Sequence, residues 1–235
     1  MKFIDTPYLP QNAVKVAISA VSVEGVKTIP PPKIVSLRGA LCTHADLGFC
    51  PLGKNEAVCP PQTAQYYERA LAQFGFKIIC GEKSVGSNYP EDCAYNVAII
   101  GRRALCRIDI TDRRLLEELS VRGFEIINIA QGYAKCSVCP IDENFCISAD
   151  KGAAGKVDSL LIENTGVCLQ GFSNGFFGGC AGMIDKKTLF VTGDINTLAS
   201  GKIILDTLIE KDIKVVCAHG AVYDIGSIIP IVQGE

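Results

Sequence analysis

Excess positive charge, long apolar runs and histidine are all scarce in this chain of 235 residues. The 23 lysines and arginines fall short of the 25 aspartates and glutamates, which leaves a formal net charge of −2. Nucleic-acid-binding domains usually carry a basic face, so we expect no nucleic-acid partner. No apolar run reaches the roughly 20 residues that a helix needs to span a bilayer, so we also expect no membrane contact.

The N-terminal residues lack the apolar stretch of a secretory signal peptide. Met1 to Asp5 are mixed in polarity, and a proline follows at Pro7. A signal peptide would need an apolar run of about 7–15 residues at this end. We therefore expect a cytoplasmic protein in which the cysteine side chains stay reduced.

Cysteine, in contrast, is abundant, with twelve residues at positions 42, 50, 59, 80, 93, 106, 136, 139, 146, 168, 180 and 217. Most lie inside apolar runs such as 77–80 and 215–217, where we expect a free cysteine to be a small buried hydrophobe. A disulfide scaffold is the alternative, but 48% hydrophobic residues supply a large core without one. Only two histidines accompany cysteines that are spread along the chain. We therefore predict no metal site and no cofactor.

One pattern of apolar segments recurs along the chain. A strand, a turn and a second strand are followed by a helix and a third strand. The units begin near residues 44, 90, 133, 171 and 219, and a period of roughly 40–45 residues is typical of repeat and propeller architectures. The predicted repeats of this single domain are 42–82, 93–131, 133–171, 173–219, and 220–235 completed by 1–41.

Apolar spacing and stop signals predict the helices of these repeats. They are expected over Gln62–Phe74, Asp112–Val121, Val157–Glu163 and Ser200–Glu210. The last repeat lacks a helix, which the N-terminal segment would supply over Gln11–Ala20, followed by a closing strand over Gly25–Ile29. Such completion closes a ring and removes an open sheet edge. The predicted fold is thus a five-bladed α/β propeller of ββαβ-like repeats, closed by the two chain ends. An open α/β sheet is the alternative.

Both histidines lie at predicted unit starts, and one of them has a carboxylate close by. His44 and Asp46 form a His-x-Asp sequence, whereas His219 has no such neighbour. On a strand, residues two apart share one face. The pair would then supply a general base and a carboxylate for a cationic substrate, because the charge of histidine changes near neutral pH. The alternative is a turn in which Asp46 caps the loop at Gly48.

Cys136 is the second candidate, on a strand that we expect to begin at Cys136 itself. Gly132 precedes it and would let a ligand approach the backbone closely, while Lys135 would favour the reactive thiolate. The sequence Cys136-x-x-Cys139 also leaves open a metal or redox site, although two sulfurs three residues apart on a strand point to opposite faces.

A glycine-rich segment and a late carboxylate complete the candidates. Residues 170–182 combine paired glycines with aromatic residues and Asn174, which suits a tight rim around a small pocket or, alternatively, a set of turns. Asp224 lies at the start of the last unit, where it would supply a second carboxylate.

Taken together, the repeated units, the His-x-Asp sequence and the cysteine after a glycine-containing turn resemble the pentein superfamily of guanidine-modifying enzymes, in particular a bacterial branch of it. That group includes arginine deiminase, agmatine deiminase and dimethylarginine dimethylaminohydrolase. His44-Ala45-Asp46 is similar to the His-x-Asp of the deiminases, and residues 131–138 are similar to the strand that bears the nucleophilic cysteine. In those enzymes the cysteine lies near the C-terminus, but a closed ring tolerates such a permutation.

The resemblance implies a hydrolase or transferase of the deiminase type that acts on a small guanidino or amidino compound. The alternatives are a non-catalytic module of the same fold that binds a small molecule or a protein, and a cysteine-rich metal or redox protein. The chain could also form a homodimer. The implied catalytic residues are Cys136 and His44, and the implied substrate-binding residues are Asp46, Asp224, Gly132 and Asn174.

Overall fold

The computed structural model describes residues 1–235 and divides the strands among five small sheets. The sixteen strands, β1 to β16, cover Lys2–Phe3, Val14–Ile18, Lys27–Ile29, Cys50–Gly53, Glu56–Cys59, Lys77–Cys80, Ala98–Ile100, Arg103–Cys106, Glu125–Asn128, Val138–Pro140, Phe145–Ser148, Asp158–Leu161, Ala181–Asp185, Thr188–Val191, Lys214–Cys217 and Ile229–Gln233. The six α-helices, α1 to α6, cover Ala45–Gly48, Pro61–Leu71, Arg113–Val121, Ala134–Ser137, Lys151–Ala154 and Gly201–Glu210. Short 3-10 helices cover Gly39–Thr43, Ala72–Phe74, Glu91–Cys93, Phe177–Gly179 and Ile195–Thr197. None of the helices combines the length and the apolar character that a bilayer crossing requires.

Four of the sheets share one topology, in the orders β4-β5-β6, β7-β8-β9, β10-β11-β12 and β13-β14-β15. In each, the first two strands are antiparallel and the third is parallel to the second. The crossover that a parallel pair requires contains α2, α3, α5 or α6. This is the ββαβ order that the sequence predicts, in a mixed α/β fold.

Local signals explain why these helices form where they do. In α3, the Asp112 side chain accepts a hydrogen bond from the Leu115 backbone N–H at 3.0 Å, so Asp112 is the N-cap and not the first helical residue. Leu115 and Leu119 lie on one face and are fully buried. Gly123 follows the helix at a φ of +72°, a left-handed conformation that favours glycine.

The fifth sheet joins the two ends of the chain, in the order β1-β16-β2-β3. The prediction of a helix over Gln11–Ala20 is wrong, because Val14–Ile18 is a strand that pairs antiparallel with β16 and parallel with β3. Its sequence, Val-Lys-Val-Ala-Ile, is rich in β-branched residues, which favour strands. The closing strand expected over 25–29 is present as Lys27–Ile29.

The predicted helix over Val157–Glu163 is also wrong. The helix of that unit is the earlier single turn α5, which Asp150 caps by accepting from the Ala153 N–H at 2.7 Å. Most of the predicted range is strand β12, which pairs in parallel with β11. A short apolar run fits either element, and here the sheet partner determines the outcome.

The cysteine side chains are all free, and nine of the twelve are buried. The expectation of buried cysteines is wrong for the runs 77–80 and 215–217, because Cys80 and Cys217 lie at the exposed ends of β6 and β15. The buried cysteines belong mainly to the core clusters, of which the largest contains 34 residues from the terminal sheet and from β4 to β9. A second cluster of 19 residues lies around β10 to β15.

Candidate active site

The candidate site is assembled from the segments that lead into the first strand of four sheets and into β16 of the terminal sheet. These segments are 44–46, 92–96, 133–136, 176–179 and 224–227, before β4, β7, β10, β13 and β16. Hydrogen bonds that involve at least one side chain link all five segments. The repeat therefore brings together residues that lie up to 183 positions apart in the chain.

The His-x-Asp sequence forms a turn and not the predicted strand. His44 lies between the 3-10 helix Gly39–Thr43 and α1, with an extended backbone. The Asp46 backbone N–H donates to the Gly226 carbonyl at 3.1 Å. Gly226 has a φ of +75°, and a Cβ added there would lie 2.3 Å from the His44 Cα atom. The close approach of two backbones thus fixes the position of the histidine.

Cys136 lies in the single helical turn α4, which runs directly into β10, so its predicted place on a strand is wrong. Cys139 lies on β10, and its side chain belongs to the second core cluster. The two sulfurs of the Cys-x-x-Cys sequence consequently have different surroundings, and only Cys136 faces the histidine-bearing turn.

Four of the predicted side chains meet here. The Cys136 Sγ atom lies 3.2 Å from Asp46 Oδ2. The reactive atoms of His44, Asp46 and Cys136 all lie within 4.8 Å of one another. His44 Nδ1 lies 3.8 Å from Oδ1 of Asp224. All four residues are buried, so water is largely kept from the thiol, the imidazole and both carboxylates.

Several polar atoms of this cluster have no partner. Both ring nitrogens of His44 and the Oδ1 atom of Asp46 are buried without a hydrogen bond. A buried polar atom without a partner costs about 1–3 kcal/mol, so native proteins rarely leave one without a reason. A ligand with several N–H groups would satisfy the carboxylate and leave the imidazole free for proton transfer.

The glycine-rich segment explains how Asp224 is held. Its carboxylate accepts from the backbone N–H groups of Phe176 at 2.9 Å and Gly226 at 3.1 Å. A Cβ added at Gly179 would lie only 2.0 Å from Asp224 Oδ1, so only glycine leaves room for the carboxylate. Burial raises the pKa of Asp224, while the neighbouring His44 lowers it.

The floor of the site is formed by Lys135, which the sequence analysis places beside the thiol, and by Ser227, which it does not mention. The Lys135 ammonium group is buried and donates to the Gly178 carbonyl at 2.9 Å and to Ser227 Oγ at 2.6 Å. It also lies 5.1 Å from the centre of the Tyr8 ring, within cation–π range. Ser227 Oγ lies 3.3 Å from Asp46 Oδ2. The positive charge of Lys135 is predicted to favour the thiolate, and its ammonium group reaches Asp46 through the Ser227 hydroxyl.

The electrostatics of the cluster favour a neutral thiol in the free protein. Burial raises the pKa of Cys136 well above its usual range, and the charges of Asp46 and Asp224 raise it further. A hydrogen bond from Asn96 acts in the opposite direction. A cationic ligand beside the two carboxylates would offset their effect and favour the thiolate.

The remaining two predicted residues do not contact this cluster. Gly132 is buried elsewhere, and a Cβ there would lie 2.6 Å from the Tyr89 ring and 2.8 Å from the Cys93 sulfur. Asn174 is exposed, and its amide donates to the carbonyl of Gly175 at 3.1 Å. Their roles in substrate binding stay predictions.

His44, Asp46 and Cys136 also form a set that could hold a metal ion. An imidazole nitrogen, a carboxylate oxygen and a sulfur within 4.8 Å of one another are donors that suit zinc. The absence of a metal was inferred from the scarcity of histidine, and that prediction did not take account of donors from separate repeats.

A family model matches residues 10–229, and the chain therefore belongs to that family, described as a family of unknown function, DUF6873. A comparison with curated proteins yields no match.

Solved structures of two amidinotransferases and of DDAH are similar to this chain in fold. SxtG, an amidinotransferase of saxitoxin biosynthesis from Microseira wollei, has a TM-score of 0.57 and 11% identity over 92% of this chain and 91% of its own. The inosamine-phosphate amidinotransferase StrB1 from Streptomyces griseus has a TM-score of 0.52 and 10% identity over 90% of this chain and 76% of its own. DDAH from Pseudomonas aeruginosa, a cysteine-to-serine mutant complexed with citrulline, has a TM-score of 0.53 and 10% identity over 88% and 81%. The resemblance to the pentein superfamily is confirmed at the level of the fold.

Proposed function

We propose that this protein is a guanidine-modifying enzyme with Cys136 as its nucleophile. The observation that carries the proposal is the contact between the Cys136 thiol and Asp46, at 3.2 Å, beside a buried His44 whose ring nitrogens have no partner. A thiol, an imidazole and two carboxylates in one buried site suit covalent chemistry on a small cation. The solved proteins of similar fold are named as amidinotransferases and DDAH, which supports a guanidino substrate.

The substrate cation would bind between Asp46 and Asp224. A guanidinium group carries N–H donors in a plane, and two carboxylates can accept them from two sides. The Oδ1 atom of Asp46 is available for this role because no group in the protein donates to it. Burial of the cation costs free energy, which the paired charges and hydrogen bonds would offset.

The reaction would proceed in two covalent steps. The Cys136 thiol proton passes to His44, and the thiolate sulfur forms a bond to the central guanidinium carbon. The bond from that carbon to one nitrogen breaks, and the leaving amine receives the proton from His44. The sulfur then carries an amidino group, which a second nucleophile removes to regenerate the thiolate.

The second nucleophile decides the reaction class. Attack by water, activated by His44, would give a urea-type product and make the protein a hydrolase. Attack by an amine would give a new guanidino compound and make it an amidinotransferase. An assay with and without added primary amines distinguishes the two, because only a transferase forms a product that contains the added amine.

A surface pocket beside Asp224 would receive the part of the substrate that does not react. It has a volume of about 910 Å³ and is lined by Asn174, Phe172 and Tyr223 among others. Tyr223 faces this pocket while the next residue, Asp224, faces His44. This placement would give Asn174 its predicted role, at the distal part of the substrate.

We also propose that the five sheets form a closed ring around this site. Strand β10 contacts β7 and β13, and β13 in turn contacts β16. Ile4 forms an isolated bridge to Lys54, directly after β4, which supports contact between the terminal sheet and the sheet of β4. A ring would explain why all five entry segments reach one centre.

A panel of guanidino compounds, assayed for release of ammonia or amine, tests the proposed function. We expect turnover of at least one compound, and a loss on the order of 10³-fold or more in Cys136→Ser, as is typical when a nucleophile is removed. Cys217→Ser is the matched control, since Cys217 is exposed on β15 and should be dispensable. Full activity of Cys136→Ser, or no turnover of any compound by the folded protein, would contradict the proposal.

A metal centre is the second candidate, because His44, Asp46 and Cys136 bring three donor types within 4.8 Å. Elemental analysis of protein purified without added metal distinguishes the two. Stoichiometric zinc that disappears in Cys136→Ser would favour the metal centre over the covalent enzyme.

A further inference from the structure

The buried amide of Asn96 lies between the cysteine-bearing turn and the histidine-bearing turn. Its Oδ1 atom accepts from the backbone N–H of Lys135 at 2.7 Å and of Cys136 at 3.2 Å. Its Nδ2 atom donates to the Asp46 carbonyl at 3.0 Å and to the Cys136 sulfur at 3.2 Å. One side chain from the segment before β7 thus fixes two other segments of the site.

The orientation of this amide is determined by its partners. Backbone N–H groups can only donate, so the oxygen of Asn96 must face Lys135 and Cys136. The Asp46 carbonyl can only accept, so the NH₂ group must face Asp46 and, with it, the sulfur. The reverse orientation would place the NH₂ group against the N–H groups of Lys135 and Cys136, and the amide oxygen against the Asp46 carbonyl. The N–H that faces the sulfur is therefore assigned by the whole network.

The two contacts of the Cys136 sulfur have opposite consequences. The Asp46 carboxylate accepts from the thiol and favours its protonated form. The Asn96 N–H donates to the sulfur at 3.2 Å, and a hydrogen bond donated to sulfur stabilises the negative charge of a thiolate. Because the thiolate is the attacking species, the hydrogen bond from Asn96 acts on the reactive state.

Asn96 also acts as a remote cap of the helical turn that carries the cysteine. Tyr133, the residue at the N-cap position of α4, makes no side-chain capping bond. In its place, the Oδ1 atom of Asn96 accepts from the N–H groups of the second and third residues of α4. The position of the sulfur therefore depends on a residue 40 positions earlier in the chain.

We propose that Asn96 is the positioning residue of the nucleophile: it orients the turn of Cys136 and supplies the hydrogen bond that stabilises the thiolate. This inference rests on the proposed function, since it takes Cys136 as the nucleophile.

Asn96→Asp separates the two parts of this role. The aspartate keeps an oxygen for the two backbone N–H groups but places a second carboxylate oxygen against the sulfur and the Asp46 carbonyl. The readout is the rate at which 2-chloroacetamidine alkylates Cys136 between pH 6 and 10, followed on its peptide by mass spectrometry. We expect the rate at a given pH to fall about tenfold or more, because the loss of a hydrogen bond to a charged group changes an equilibrium by about that factor. We also expect the pH profile to move to higher pH.

Two further variants complete the experiment. Asn128→Asp is the matched control, because Asn128 accepts from the Ile108 backbone N–H at 3.0 Å and lies on β9, outside the site. Its alkylation rate should equal that of the wild type. Asn96→Ala removes donor and acceptor without adding charge. Its pH profile should also move to higher pH, so this variant carries the test if Asn96→Asp does not fold.

The outcomes separate this inference from the proposed function. Wild-type Cys136 that resists the amidine altogether would contradict the proposed nucleophile. Alkylation of wild-type Cys136 with an unchanged profile in Asn96→Asp and Asn96→Ala would overturn the role of Asn96 and leave the proposed function standing. A slower rate in proportion to lost stability, with no shift of the profile, would also overturn it, because a merely structural residue would behave in that way.

Discussion

The contact between Gly226 and His44 allows a quantitative prediction for Gly226→Ala. The added methyl group would lie 2.3 Å from the His44 Cα atom and 2.5 Å from its Cβ atom. Gly226 also has a φ of +75°, which costs an alanine roughly 1–2 kcal/mol. Overpacking of a tight contact adds about 1–3 kcal/mol. The expected loss in the free energy of unfolding is thus about 2–5 kcal/mol.

Gly220→Ala is the matched control for this substitution. Gly220 has a φ of +86°, but a Cβ there would meet no atom within 4 Å. The variant should lose only the cost of the left-handed backbone, about 1–2 kcal/mol. The difference between the two variants therefore isolates the contact with the histidine.

Denaturant unfolding and the alkylation of Cys136 measure both effects of Gly226→Ala. We expect Gly226→Ala to react about 100-fold more slowly with 2-chloroacetamidine, since a displacement of about 1 Å can cost that much. Gly220→Ala should react like the wild type. If Gly226→Ala lost no more stability and reactivity than Gly220→Ala, the close packing of the histidine turn would be refuted.

Three further predictions concern the floor of the site, the surface and the thiol. Ser227→Gly should have a free energy of unfolding about 1 kcal/mol higher than Ser227→Ala, because Ser227 has a φ of +76°, which glycine adopts without strain. Both variants lose the same hydroxyl bond to Lys135, so equal stabilities would contradict backbone strain at this position. Arg122→Gln should lose at most about 1 kcal/mol at pH 7, since its 2.5 Å pair with Glu56 is partly exposed. Arg122 lowers the pKa of Glu56, so this stability is present above the unfolded pKa and is lost as the pH falls, and a loss that grew in acid would contradict the assignment. Alkylation of Cys136 by the neutral 2-chloroacetamide should continue to rise above about pH 9.5, where the rate of an ordinary thiol with a pKa of about 8.5 has levelled off, because burial raises the pKa of Cys136.

The repeated order of elements was predictable because its signals are local. Asp112 and Gly123 delimit α3 by capping and by left-handed geometry, which the sequence displays directly. The errors fell on short apolar segments without such signals. Val14–Ile18 became a strand because β3 and β16 flank it, and neither neighbour is visible in a local pattern.

The site was predictable only in part. His44, Asp46, Cys136 and Asp224 were found through unit starts and the resemblance to penteins, and the structure places their side chains together. The strand geometry expected for His44 and Cys136 is wrong, because His44 lies between two short helices and Cys136 lies in the helical turn α4. Their side chains still converge, because the segments that precede the strands meet at one centre.

The residues that were missed act through long-range contacts. Asn96 lies in the apolar run 95–100, and nothing near it in the sequence indicates contact with a cysteine 40 positions later. Ser227 meets Lys135 across 92 positions. One signal could have identified Asn96 and Ser227: each lies just before the first strand of a repeat, β7 or β16.

The most direct test of the central claim compares two electrophiles of the same shape on Cys136. 2-Chloroacetamidine is cationic and 2-chloroacetamide is neutral, and the exposed Cys80 and Cys217 report their intrinsic difference in reactivity within the same molecule. If Asp46 and Asp224 form a cation site beside a nucleophilic thiol, the amidine-to-amide rate ratio should be about tenfold or more higher at Cys136 than at the two exposed cysteines. The same ratio at all three cysteines, or no reaction at Cys136 with the amidine, would contradict the account.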